Sequence, residues 1–127
     1  MFNRYIKLFL STFISILLFG NVVFAQDPTD GCELDSNELF LTSTGEVLYN
    51  SDVDIAGFQF DVDGTTVSGA SGYDAASAGF TVSAGGSTVL GFSFSGAVVP
   101  AGCGTLTSLS LNGDATGLSG IVVSDVT

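Results

Sequence analysis

Apolar and polar residues alternate most cleanly around GFQFDVDGTTV, Gly57 to Val67. There Ala56, Phe58, Phe60 and Val62 share one parity, and Gln59, Asp61 and Asp63 share the other. Successive side chains of a strand point to opposite faces, so this stretch predicts a strand that buries the first set and solvates the second. Asp63-Gly64 then predicts a tight hairpin reversal into Thr65 to Ser68, with positive backbone angles at the turn. Further on, Phe80, Val82 and Ala84 alternate with Thr81 and Ser83, Gly85-Gly86 turns the chain, and Leu90, Phe92 and Phe94 alternate with Gly91 and Ser93. These predict a second hairpin, with the even-numbered phenylalanines in the core.

Weaker patterns fill the rest of the chain. Glu38 to Leu41 and Glu46 to Asn50 are strand candidates joined through Ser43-Thr44-Gly45. The small residues of Ala70 to Gly79 break the alternation, which predicts a loop or one helical turn at Asp74 to Ala78. In GTLTSLSLNG, Leu106 opposes Leu109 and Leu111 in parity, so a bulge near Thr107 or burial on both faces is expected. GLSGIVVSDV is the last strand candidate. Short strands, Gly-rich turns and no convincing helix predict an all-β fold, a two-sheet β-sandwich of jelly-roll or Greek-key type. The sequence stops just after an apolar strand, which raises the expectation that a C-terminal strand is missing.

The amino terminus changes the picture of compartment and charge. Residues 1–25 read as a secretory signal, with Arg4 and Lys7 as a basic start, LFLSTFISILLFG as an apolar centre and a cleavage site after Ala25. The rival is an uncleaved membrane anchor, against which Gly20 and Asn21 interrupt the apolar run. Residues 26–37 read as a short polar leader and 38–127 as one domain, placed outside the cell or at its surface. Arg4 and Lys7 are the only basic residues, there is no histidine, and all thirteen Asp and Glu follow Ala25. A chain without cations cannot neutralise phosphate, which excludes a nucleic-acid partner and disfavours an anionic membrane surface. Cys32 and Cys103 are expected to pair after export, and closing so long a loop contributes about 4 kcal/mol in the chain-entropy picture. The alternative is that each cysteine joins a neighbouring domain or chain.

Candidate chemistry is thin. In an EF-hand frame Gly64 takes the turn position and Asp61 and Asp63 two early ligand positions, but Gln59 replaces the first Asp and Ala70 the bidentate Glu. The hairpin reading accounts for both carboxylates without a metal. No cofactor is expected; calcium stays open but unplaced, since it accepts irregular oxygen cages such as Asp52, Asp54, Asp61 and Asp63 from adjacent loops would offer. Without a histidine or lysine base after residue 25, triad-type catalysis is not expected, and zinc is disfavoured. A carboxylate pair such as Glu46 with Asp74 is the remaining hydrolytic option, and the expectation is no enzyme. Tyr49 and Tyr73 are the candidate ligand contacts, because tyrosine is favoured at binding surfaces. The competing reading of Tyr73 is a ring folded over a sheet edge.

The order GFQFDVDG, GFTVSAGGSTVLGFSFSG, VPAGCGTLTSLSL and GIVVSD, over about Glu46 to Asp125, resembles the cohesin and cohesin-like domains of secreted bacterial proteins. The resemblance implies a nine-stranded jelly roll, no catalysis, and a flat sheet face for protein binding. No dockerin partner is inferred from it and no contacting residue is carried onto a numbered position, and cohesins are longer than this chain. Three functions follow as expectations. The first is a non-catalytic module for protein binding or adhesion, the second a carbohydrate-binding module using Tyr49 or Tyr73, and the third a filament or surface-layer subunit completed by a neighbour's strand at an open edge.

Overall fold

Alternation is strongest where both sheets meet, and the structure, a computed structural model, places those residues between two layers; it describes residues 27–126. The signal-peptide reading of residues 1–25 lies outside the described residues. The strands are β1 (Glu38–Leu41), β2 (Glu46–Ser51), β3 (Gly57–Asp63), β4 (Val67–Ser71), β5 (Thr81–Gly85), β6 (Thr88–Phe92), β7 (Gly102–Leu111) and β8 (Gly117–Ser124). One short helix, α1 (Tyr73–Ser77), is the helical turn expected in the small-residue segment. A first sheet runs β1-β2-β7-β4 and a second β5-β6-β3-β8, all neighbours antiparallel, which is the two-sheet sandwich the alternation predicts.

Between the sheets lie Leu39, Val47, Tyr49, Leu106 and Leu109 from the first, and Phe58, Phe60, Val62, Val89 and Leu118 from the second. Phe58 stacks on Phe60 and Phe80 at 6.0 Å each, forming an aromatic centre. The bulge expected near Thr107 is present: the β2–β7 register jumps between Val47 and Leu48, so β7 spends an extra residue there and buries both Leu106 and Thr107. The Thr107 hydroxyl meets its burial cost by donating to the Ser71 carbonyl at 3.2 Å.

Asp63-Gly64 does turn the chain, with Gly64 at φ 97°, yet β3 and β4 are not a hairpin. β3 pairs with β6 and β8 while β4 pairs with β7 in the other sheet, so the turn is a crossover between layers. Asp63 keeps an ordinary negative φ; only the glycine takes the left-handed angle.

The leader is more than a polar linker. Asp30 caps a 3-10 turn at Gly31–Glu33 by accepting from the Cys32 N–H at 2.9 Å, and Cys32 is bonded to Cys103 on β7. The disulfide pins the leader across the outside of the first sheet, where Leu34 covers Phe40 and Leu48. That cover explains why Val47, Leu48 and Tyr49 are all buried in succession.

Candidate functional site

Strand β6 inverts the expected orientation. Val89 and Gly91 face the core, while Leu90 is 41 % exposed and Phe94, just past the strand, is 85 % exposed. The cause is Phe58, directly opposite Gly91 in the β3–β6 register: its ring fills the space that a side chain at position 91 would need. A Cβ on Gly91 would stand 2.3 Å from that ring. Leu90 and Phe92 are therefore directed outward, and Phe92 meets Phe94 edge to face at 4.8 Å. The expectation that Phe92 and Phe94 belong to the core is corrected accordingly.

Register brings these residues into rows across the outer face of the second sheet. One row reads Ser83, Leu90, Gln59 and Val122, with Val122 54 % exposed; the next reads Thr81, Phe92, Gly57 and Ser124. Val122 reaches this face because the β3–β8 register shifts between Gln59 and Asp61, giving β8 one extra residue and placing Gly120 at φ 59°. On the other side of the Leu90 row lies the row of Thr88, Asp61 and Ser119. There the Thr88 hydroxyl donates to Asp61 at 2.6 Å and the Ser119 hydroxyl to Asp63 at 2.7 Å. The face is apolar at one end and acidic at the other.

The residues singled out from the sequence are scattered. Tyr49 is not a surface residue: it is 3 % exposed and donates to the Asp74 carboxylate at 2.6 Å, tying α1 to the first sheet. Burial first, then the bond and the charge of Asp74, push its phenol well above the usual range. Tyr73 opens α1 with φ 63° and a half-exposed ring. Glu46 and Asp74 have separate hydrogen-bond partners. Glu46 accepts from the Thr44 and Thr42 hydroxyls, which hold its carboxyl below the ordinary carboxylate range.

Asp52 and Asp54 precede β3, with Asp54 accepting from the Ala101 N–H at 2.9 Å, while Asp61 and Asp63 lie toward its other end. Among the described residues no three His, Cys, Asp or Glu gather as a metal site would require. Cys32 and Cys103 are joined, with Cα atoms 5.0 Å apart.

Beside β1 runs a shallow cleft of about 370 Å³ lined by Phe40, Leu41, Leu111, Asp114 and Thr116, continued by one of about 240 Å³ toward Glu46. Every buried side-chain polar atom among the described residues has a hydrogen-bond partner, so no orphaned group marks a ligand there. No protein-family profile, curated protein or solved structure matches this chain.

Proposed function

We propose that this is a secreted, non-catalytic module that docks a protein through the outer face of the β5-β6-β3-β8 sheet. The observation that carries the reading is the outward row of Leu90 and Val122, flanked by Phe92 and the nearly free Phe94. Apolar side chains gathered on a flat face cost solubility unless a partner covers them, and aromatic residues are enriched where partners bind. The outward residues come from the segments FQF, VLGFSF and IVV that carry the cohesin resemblance, which belongs to this proposal. The disulfide fits an oxidising destination, and among the described residues no helix is long and apolar enough to cross a membrane.

Replacing Leu90 and Val122 together by serine tests the reading. The protein should keep its melting temperature and lose retention of its extracellular partner; unchanged retention would sink the proposal. The carbohydrate reading keeps only Tyr73 of its two tyrosines, since the Tyr49 ring lies between the sheets.

One observation favours the strand-complementation reading as a second choice. The Thr42 N–H donates to the Glu46 carbonyl, a phase that turns the N–H and C=O of Leu41 away from β2, and β1 pairs with no other strand among the described residues. A concentration series by sedimentation discriminates it: a chain that stays monomeric at every concentration contradicts assembly through that edge.

A further inference from the structure

We infer that the partner of this face is basic, a protein surface that sets Lys or Arg beside its apolar anchor. The inference rests on the docking reading above and adds the partner's chemistry to it. Gln59, Asp61 and Asp63 follow at two-residue spacing on the outer side of β3. At the rise of a strand, the two carboxylates stand about 7 and 13 Å from the row of Leu90 and Val122.

Each carboxylate accepts a hydroxyl bond, from Thr88 and Ser119 respectively, which orients it and leaves further lone pairs for an incoming donor. Both aspartates are half-buried, so a neutral apolar surface laid over them would strip their water without repaying it. No Lys, Arg or His occurs among the described residues, so nothing within the fold neutralises this acidic end. A second copy of the chain would only add carboxylates. Charge complementarity therefore selects a cationic partner, which would also be drawn in faster by the field of the face.

The test uses two helical peptides that share one leucine stripe, one flanked by lysines and the other by glutamates. They are titrated by NMR into isotope-labelled protein beginning at Gln26, which contains every contact of the fold described above. The lysine peptide should shift the amide signals of Leu90, Val122, Asp61 and Asp63. Its affinity should fall about tenfold in Asp61→Asn with Asp63→Asn, which keeps the hydroxyl acceptors, and binding at the face should vanish in Leu90→Ser with Val122→Ser. Equal binding of the glutamate peptide at the same residues overturns the basic-partner inference and leaves the docking face standing. Shifts spread over the chain's other carboxylates, indifferent to the serine pair, overturn the docking face itself.

Discussion

At Gly91 a single methyl group has nowhere to go, because the Phe58 ring already occupies the place of the missing side chain. Gly91→Ala must push that ring off its stacked neighbours Phe60 and Phe80 or bend β6. Overpacking of this kind costs about 1 to 3 kcal/mol, to be read from chemical denaturation; an unchanged midpoint would mean that the core has room the structure does not show.

Tyr49 makes the second residue-scale prediction. Its phenol titrates higher in the folded chain than in the unfolded one, so its contribution is fully present below the ordinary tyrosine range, about pH 10. The contribution is lost as pH rises from there toward the folded value. Alkaline unfolding should therefore begin above about pH 10, and Tyr49→Phe should remove that component while costing about 1.5 kcal/mol at neutral pH through the lost bond to Asp74. Parallel stability–pH curves for the two proteins would contradict the assignment.

At the scale of elements, β3 was legible because its alternation has only one solution: aspartates on one side, phenylalanines on the other. β6 was not, since VLGF carries apolar residues on both parities, and bulk alone favours Leu90 and Phe92 inward. The deciding fact, that Phe58 lies across from Gly91, exists only once the register is known. The Asp63-Gly64 turn failed for a related reason: turn chemistry specifies a reversal but not which strand pairs next, and β4 crosses to the other sheet. The candidate face was thus hidden in part because parity assigns its phenylalanines, Phe92 and Phe94, to the core, while Tyr49, chosen for its chemistry, proved to be structural.

The leader carries the third prediction. Cys32 and Cys103 are separated by 71 positions, so replacing both by serine should lower stability by up to about 4 kcal/mol. It should also release Leu34 from Phe40 and Leu48, detectable as faster hydrogen exchange in β1 and β2 but not in β3. Uniform loss of protection across both sheets would contradict a leader that covers only the first.

Over the whole molecule the charge is one-sided. All thirteen carboxylates follow residue 25 and the chain carries no lysine, arginine or histidine beyond that point, so their mutual repulsion opposes the compact state. Salt screens that repulsion over a Debye length of about 10 Å at 0.1 M, and the melting temperature should rise with sodium chloride, by about 5 °C for each kcal/mol recovered. A flat response would mean that the carboxylates stand too far apart to matter.

The same scale holds the central claim, that the second sheet's outer face is where another protein sits. A photo-crosslinking residue at Val122, compared with one at the exposed Ser110 on the opposite sheet, tests it most directly in the cells that make the protein. The account predicts a discrete adduct with another protein from position 122 and none from position 110. Equal labelling from both positions, or none from position 122, would contradict it.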